Sequence, residues 1–219
     1  MLTLYYAPDT CALATHLALE HAGADYRALR VDFASRQQRS PEYLRVNPKG
    51  RVPALVTERG TLTETPAILQ FIAQRYPEAR LAPRDDPFEL ARMNAFNSYL
   101  CSTVHVAHAH RMRGARWTDE PAAIEALKKK VRQTVGECFE LIEREFFVGP
   151  WVLGPSYGVS DMYLFTLAQW LEADGVDPAR FPKVSAHRER MRADPLVARV
   201  VAAEKTPGQA GGMRSSWPG

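Results

Sequence analysis

Cys11 is the side chain of this sequence best placed for thiol chemistry. It follows an apolar run, Leu2–Tyr6, that predicts a buried strand, and it begins a stretch of helical spacing. Unpaired backbone N–H groups and the helix dipole favour a thiolate at a helix N-terminus, so this position predicts a reactive cysteine. By residue type alone, a small buried hydrophobic residue is the alternative. Ala14 stands three residues later, where a dithiol oxidoreductase would have its second cysteine, so disulfide exchange through a cysteine pair is not expected.

The most specific run in the chain covers residues 47–55 and reads Asn-Pro-Lys-Gly-Arg-Val-Pro-Ala-Leu. Where Val52 and Pro53 enter a strand, they can present a backbone edge to a peptide-like ligand. Pro53 is a candidate cis proline, although only about 5–6% of X-Pro bonds in folded proteins are cis. A loop proline at the start of a strand is the alternative.

A predicted helix start at Thr63-Glu64-Thr65-Pro66 has the groups of an anion site. A hydroxyl and free backbone N–H groups at a helix N-terminus can bind a carboxylate, and Glu64 beside them can bind an ammonium group. An ordinary helix cap is the alternative. Asp161, in the first turn of a later predicted helix, is interpreted as a structural cap only.

The elements that must position these residues follow the order βαβαββα. The first two strands are expected to be parallel neighbours, because a helix lies between them. Pro66 is tolerated in the first turn of the last helix. The pattern predicts strands at residues 2–6, 26–33, 53–57 and 61–63, and helices at residues 11–22, 40–46 and 64–76.

A polar stretch punctuated by prolines, residues 80–87, predicts a linker between two domains. We therefore expect one domain over residues 1–79, a helical domain over residues 88–205, and a tail rich in Gly, Ser and Pro over residues 206–219. Within the second domain the pattern predicts helices alone, at residues 88–112, 121–147, 159–173, 181–192 and 195–204.

The composition argues against several classes of function. Lys and Arg total 28 against 25 Asp and Glu, and a net charge of +3 does not predict nucleic-acid binding. The Lys128-Lys129-Lys130 run is interpreted as a solvated helix face. Three cysteines cannot form a disulfide framework, so a reducing cytoplasm is expected. We recognise no signal peptide and no apolar stretch near the roughly 20 residues of a membrane-spanning helix, so no membrane association is expected.

Three segments together resemble the glutathione transferase superfamily, and most of all its bacterial beta class. They are Tyr-Tyr-Ala-Pro-Asp-Thr-Cys-Ala-Leu-Ala at residues 5–14, the run at residues 47–55 and the helix start at residues 63–66. The resemblance covers nearly the whole chain and is strongest over residues 1–76. It implies an α/β thioredoxin-like N-terminal domain followed by an all-α helical-bundle domain. It also implies a homodimer, with glutathione as a co-substrate.

The resemblance implies roles for individual residues. The cysteine of glutathione would pair with the backbone of Val52, the residue before the cis proline Pro53. The γ-glutamyl end would meet Glu64 and Thr65. Cys11 matches the beta-class cysteine beside the glutathione sulfur.

Further site residues are expected around this frame. Arg36 and Arg51 are the candidates for the glycine end of glutathione, and Thr10 or His105 would join Cys11 in stabilising the sulfur. The pocket for an apolar electrophile is expected from the first helices of the second domain, at Tyr99, His105, His108 and Met112.

The sequence also departs from the beta-class pattern. Gly158 replaces the Ser or Thr that usually begins the second-domain capping box, Val106 replaces a basic residue, and Ser98 replaces an asparagine. His105, His108 and His110 do not predict a metal site, because no acidic or thiol partner is evident beside them.

The resemblance predicts an enzyme that conjugates the glutathione thiolate to a hydrophobic electrophile, a detoxification reaction. One alternative is a glutathione-dependent thiol transferase or peroxidase that uses Cys11 as a redox thiol. The other is a non-catalytic, transferase-like interaction module, although the Val52-Pro53 and Glu64-Thr65 elements argue against it.

Overall fold

The computed structural model describes residues 1–206, which form two compact units. The first unit contains Met1–Arg84 together with residues 192–206, and the second contains Asp85–Met191. The change from one unit to the other after Arg84 falls within the stretch expected to be a linker. Most of the expected C-terminal tail, residues 207–219, lies outside the described residues.

The first unit contains a four-stranded sheet in the order β2-β1-β3-β4. Strands β1 (Leu2–Tyr6) and β2 (Tyr26–Arg30) are parallel, as the intervening helix predicted. Strand β3 (Ala54–Thr57) is antiparallel to β1 and also to β4 (Gly60–Thr63), with which it forms a hairpin. This arrangement places the start of β3 beside the end of β1, so that the segments before β3 and after β1 lie at one edge.

Three helices of the first half belong to this unit: α1 (Ala12–His21), α2 (Pro41–Val46) and α3 (Thr65–Arg75). Helix α1 begins directly after Cys11, and its central residues are completely buried because they pack in the core next to the sheet. Helix α2 starts as a capped helix should, since the Ser40 side chain accepts from the Tyr43 backbone N–H and Pro41 occupies the first turn.

Helix α9 (Pro195–Lys205) belongs to the first unit, and this corrects the boundary of the helical domain expected at residues 88–205. It packs against α1, where His16 Nδ1 and Glu204 Oε1 lie 2.8 Å apart and both side chains are buried. Helical spacing in the sequence indicates that α9 has one apolar face, but it does not identify the helix that covers that face.

The second unit is helical, and its longest predicted helices contain π-helical turns. The helix expected at residues 88–112 is divided by a π-helical turn at Leu100–Val104, and the next ends in a second one at Ile142–Phe146. No helix among residues 1–206 is both long and apolar enough to span a membrane. The helices are α4 (Pro87–Tyr99), α5 (His105–Arg113), α6 (Pro121–Leu141), α7 (Val159–Ala168) and α8 (Pro182–Ala193).

Asp161 caps α7, which confirms its interpretation as a structural residue. One carboxylate oxygen accepts from the Gly158 backbone N–H at 2.9 Å. The other accepts from the Val152 backbone N–H at 2.9 Å and lies 3.1 Å from His187 Nε2. The helix therefore keeps the acidic half of its capping box although Gly158 has no side chain to supply the other half.

Candidate functional site

Cys11 occupies the N-cap position of α1 and is 7% exposed. Its Sγ lies 3.6 Å from the backbone oxygen of Val52, which accepts the S–H. The preceding turn is held by Thr10, whose hydroxyl donates to the Ala7 carbonyl at 2.7 Å and accepts from the Ala12 N–H at 3.3 Å. The start of α1 and the segment before β3 therefore meet at the cysteine sulfur.

Two buried side chains hold the backbone just before Val52. The Asn47 side-chain amide and the Tyr43 hydroxyl donate to the carbonyl oxygen of Arg51, at 2.7 and 2.6 Å. The Asn47 amide oxygen also accepts from the Lys49 N–H at 3.1 Å. The Val52–Pro53 peptide bond that follows is cis. This segment is therefore fixed from the protein side and does not depend on a ligand for its shape.

Gly50 is required at this turn for two reasons. Its φ of +60° lies in the left-handed region, and a Cβ there would lie 2.8 Å from the backbone oxygen of Gln38. The 3₁₀ helix Gln37–Arg39 therefore packs directly against Gly50. Arg36, which precedes this helix, and Arg51, which follows Gly50, are both exposed. Arg36 and Arg51, both expected at the glycine end of glutathione, therefore lie next to the contact between Gly50 and this 3₁₀ helix.

Glu64 precedes α3 with a φ of +71°, in a region that a side chain with a Cβ seldom adopts. Such strain costs on the order of 1–3 kcal/mol and recurs at ligand sites. The Glu64 side chain does not cap α3, and Thr65, the first residue of the helix, is buried. The first backbone N–H groups of α3 therefore receive no hydrogen bond acceptor from Glu64. They point out of the helix start, where they can donate to another group.

Lys49 forms a contact with the start of α3 that the sequence does not indicate. Its Nζ donates to Glu64 Oε1 and to the Thr63 hydroxyl, at 2.6 Å each. The ion pair is about half exposed, with Lys49 at 43% and Glu64 at 53%. The long lysine stem spans the gap between two segments 15 residues apart, a contact that spacing along the chain does not indicate.

In the second unit, His105 and His108 gather around Trp170. The His108 ring stacks on the indole with a centroid distance of 4.1 Å and an angle of 23° between planes. The His105 ring lies 5.2 Å from the indole and 6.4 Å from His108. His105, which matches a beta-class histidine, therefore belongs to the same aromatic cluster as His108, which is expected in the electrophile pocket.

His108 has an acidic partner, although the sequence led us to expect none beside the three histidines. Its Nδ1 lies 2.9 and 2.7 Å from the two carboxylate oxygens of Asp174, which is buried. Arg111 Nε lies 3.0 Å from the same carboxylate. Within residues 1–206 no group of three or more His, Cys, Asp or Glu side chains is arranged to hold a metal ion.

Tyr99 and Met112 occupy other surroundings. The Tyr99 hydroxyl donates to the Cys138 backbone oxygen at 3.4 Å, its ring packs 5.4 Å from Phe146, and burial raises the pKa of the phenol. Met112 is 79% exposed. The π-helical turn at Leu100–Val104 adds a residue between Tyr99 and the histidines, which rotates the α5 side chains away from the direction that uninterrupted helical spacing predicts.

Comparisons with known proteins match both halves of the chain. The glutathione S-transferase N-terminal domain matches residues 1–74 and the C-terminal domain matches residues 103–195. A solved glutathione transferase homologue from Sulfitobacter, with bound glutathione, is 44% identical, with 91% of this chain and 96% of that chain covered and a TM-score of 0.88. The chain belongs to the glutathione S-transferase family.

Two further glutathione S-transferases agree with this assignment. A solved bacterial beta-class enzyme from Sphingomonas chungbukensis is 33% identical, with 93% of this chain and 98% of that chain covered and a TM-score of 0.80. Glutathione S-transferase GstA of Escherichia coli O157:H7 is 28% identical over 203 residues, covering 92% of this chain and 98% of that protein. The expected α/β thioredoxin-like domain followed by an all-α helical domain is confirmed.

Several residues that shape this glutathione S-transferase could not be singled out from the sequence, or only in part. Asn47 begins the most specific run in the chain, so its presence in the motif was a usable signal for its role in holding Arg51. The contacts of Asp174 and Trp170 with His108 could not be predicted, because each residue lies more than 60 positions from His108. Both stand at the end of a predicted helix, where nothing indicates a partner.

Proposed function

We propose that this glutathione S-transferase binds reduced glutathione and transfers its thiolate to a hydrophobic electrophile. The observation that carries the proposal is the meeting of the Cys11 sulfur with the Val52 carbonyl at 3.6 Å. It places a thiol-stabilising helix start beside a backbone acceptor held by Asn47 and Tyr43. The solved Sulfitobacter homologue with bound glutathione supports the same ligand.

The ends of a γ-glutamyl peptide match the groups around this point. The Val52 backbone, before Pro53, pairs with the cysteine residue of the peptide. Glu64 binds the α-ammonium group, while Thr65 and the first N–H groups of α3 bind the α-carboxylate. The strained backbone of Glu64 supports this role, since such strain is retained where a ligand requires it.

Thiolate activation and substrate placement complete the reaction. Cys11, Thr10 and His105 stabilise the glutathione thiolate, and Arg36 or Arg51 pairs with its glycine carboxylate. Holding the thiolate next to the electrophile replaces a bimolecular encounter with an effectively unimolecular attack. The electrophile site draws on Tyr99, His108 and Met112 of the helical unit.

The test is retention on immobilised glutathione with release by free glutathione, followed by turnover of 1-chloro-2,4-dinitrobenzene. Retention, release and a glutathione-dependent product are the expected results. Retention without turnover of any electrophile would instead identify an interaction module. A protein that passes through the resin would overturn the proposed glutathione site.

A thiol transferase activity through Cys11 is the second candidate, and the contact of its Sγ with Val52 favours it. The Cys11 thiolate would attack one sulfur of a disulfide between glutathione and another thiol. The S–S bond breaks, a mixed disulfide forms with Cys11, and the other thiol leaves as a thiolate that takes a proton from water. A glutathione thiolate then resolves the mixed disulfide and releases oxidised glutathione.

The proposed setting is a homodimer in the cytoplasm that removes reactive electrophiles, which is a detoxification role. No disulfide joins Cys11, Cys101 or Cys138 in the described part of the chain, and cysteines stay reduced in a reducing compartment. Glutathione is the only co-substrate that the proposed chemistry needs, since the thiolate is itself the nucleophile.

A further inference from the structure

Lys49 occupies the position that the proposed function gives to the α-ammonium group of glutathione. Its Nζ donates to Glu64 Oε1 and to the Thr63 hydroxyl, at 2.6 Å each. The ammonium of a lysine and the α-ammonium of a γ-glutamyl group carry the same charge and the same three N–H donors. The protein therefore supplies a substitute for this part of the ligand from its own chain.

Both members of this ion pair extend from backbone that other contacts hold in place. The Lys49 N–H donates to the Asn47 amide oxygen at 3.1 Å, and Gly50 packs against the backbone of Gln38. Glu64 lies between the last residue of β4 and the first residue of α3. The Lys49 side chain thus reaches Glu64 from a defined turn.

The Lys49 ammonium keeps a donor available beside the start of α3. An ammonium has three hydrogens, and Glu64 and Thr63 accept two of them. The Lys49 side chain is 43% exposed, so the third hydrogen is accessible to a ligand. A carboxylate held by the first N–H groups of α3, as proposed for glutathione, can accept this hydrogen in a charge-assisted bond.

We propose that Lys49 extends the ligands of this site to thiol peptides that carry the γ-glutamyl carboxylate but no α-ammonium group. The inference rests on the proposed function, in which Thr65 and the start of α3 bind that carboxylate. Glutaryl-cysteinylglycine represents the class, because it differs from glutathione only in a hydrogen that replaces the α-ammonium.

The two kinds of ligand use Lys49 in opposite ways. Glutathione brings its own ammonium to Glu64 and displaces Lys49 from the carboxylate. Glutaryl-cysteinylglycine leaves Lys49 on Glu64, so the carboxylate stays paired and its repulsion of the ligand carboxylate is offset. Without Lys49 this ligand would place its carboxylate beside an unpaired Glu64. Leaving one member of a desolvated charge pair unpaired lowers affinity about 30-fold or more.

Titration calorimetry with glutathione and with glutaryl-cysteinylglycine, both kept reduced, measures the two dissociation constants. Wild type should bind the two thiols within about tenfold of each other, because one ammonium replaces the other on Glu64. Lys49→Ala should weaken the binding of glutaryl-cysteinylglycine by about tenfold or more, through the loss of a hydrogen bond to a charged group. The affinity of the same variant for glutathione should change by less than about fivefold.

Two further variants separate this role from a general effect of charge or packing. Arg59→Ala removes an exposed positive charge from the same unit and should keep the wild-type ratio of the two dissociation constants. Glu64→Gln should weaken the binding of glutathione more than that of glutaryl-cysteinylglycine, which has no ammonium that needs the carboxylate. The Lys49 and Glu64 variants should therefore shift the ratio in opposite directions.

The outcomes distinguish this inference from the proposed function. If wild type binds glutathione but Lys49→Ala leaves the ratio of the two dissociation constants unchanged, Lys49 does not substitute for the ligand ammonium. Wild type that binds glutaryl-cysteinylglycine about 30-fold or more weaker than glutathione overturns the inference as well. A wild-type protein that binds neither thiol would instead contradict the proposed glutathione site.

Discussion

Lys49 and Glu64 form an ion pair, so a ligand that binds the Glu64 carboxylate must first displace the Lys49 ammonium. Lys49 Nζ takes the position beside Glu64 that a ligand ammonium would need, at 2.6 Å from the carboxylate. A half-exposed ion pair contributes about 0–1 kcal/mol, so a ligand displaces it at little cost. In the proposed function, by contrast, the ammonium of glutathione leaves water when it binds and depends on the Glu64 carboxylate.

We therefore expect Glu64→Ala to weaken glutathione binding by about 2–5 kcal/mol, the cost of leaving one member of a desolvated charge pair unpaired. Lys49→Ala should change the binding free energy by less than about 1 kcal/mol. Titration calorimetry measures both, with the exposed Glu58→Ala as a control for loss of negative charge in the same unit. Equal affinities of the Glu64 and Lys49 variants would refute the role of Glu64.

Cys11 should form a mixed disulfide with oxidised glutathione more readily than the other two cysteines. Its N-cap position favours the thiolate. Burial raises the pKa of the Cys138 thiol, and Cys101, partly exposed, lies within a π-helical turn without a helix start beside it. Mass spectrometry should find one adduct, on the peptide containing Cys11, that a reducing agent removes.

Two variants test which reaction depends on the Cys11 sulfur and which on the glutathione sulfur. Cys11→Ala should abolish the adduct and any thiol transferase activity, while the conjugation rate falls only modestly because the helix start still stabilises the glutathione thiolate. Cys101→Ser should keep the adduct. A complete loss of conjugation in Cys11→Ala, with glutathione affinity and fold unchanged, would show that Cys11 is indispensable for activating glutathione.

At this scale the sequence identified candidate residues whose proposed roles depend on the backbone or on a helix end. Cys11, Val52 and Glu64 could be singled out because strand, helix and turn patterns place them locally. The partners of those residues could not be predicted, since side-chain reach across the fold decides them. Asp174 meets His108 across 66 residues, and no local pattern encodes that contact.

At the scale of elements, the contact between α1 and α9 contains a buried carboxylate that couples stability to pH. Burial raises the pKa of Glu204, although hydrogen bonding to His16 opposes this. A carboxyl group with a raised folded-state pKa binds more protons when folded, so it stabilises the fold at low pH. This stabilisation is lost as the pH rises above the ordinary glutamate value of 4.5 toward the folded-state pKa.

Glu204→Gln removes this titration while keeping an oxygen that can accept from His16. We expect the Tm of this variant, relative to wild type, to increase as the pH rises from about 4.5 toward neutrality. Lys205→Gln, on the exposed side of the same helix, should show a Tm difference that changes little with pH. A Glu204→Gln difference that is constant or falls over this range would contradict the argument.

The order of the helices and strands could be predicted well from the sequence. Which of the two units each helix belongs to was harder to predict. The sequence pattern, an apolar run for β1 and alternation for β2, located all four strands, and the helix between β1 and β2 made their parallel pairing predictable. The strand ends were less accurate, because β2 stops at Arg30 where its alternating pattern continues. Helix α9 shows the limit most clearly, since its apolar face is evident in the sequence while its partner α1 lies at the other end of the chain.

For the whole molecule, the resemblance and the surface of the helical unit lead to the same expectation of a dimer. Phe88, in the first turn of α4, is 74% exposed and is the most exposed aromatic side chain in the described part of the chain. Contiguous exposed apolar patches mark interfaces, and Phe88 is the side chain with which we test whether this face belongs to one. Met112 on α5 is exposed to a similar degree, but we propose it for the electrophile site.

We predict that the protein sediments as two chains and that Phe88→Asp shifts it to a monomer. Burying one Phe side chain contributes about 1.5–3 kcal/mol. In a two-fold interface each substitution occurs twice, so the loss of about 3 kcal/mol or more raises the dimer Kd at least about 100-fold. Met112→Asp should alter conjugation kinetics while the sedimenting mass stays that of a dimer. A wild-type protein that remains a monomer at micromolar concentration while binding glutathione fully would refute the dimer, and a dimeric Phe88→Asp would place the interface elsewhere.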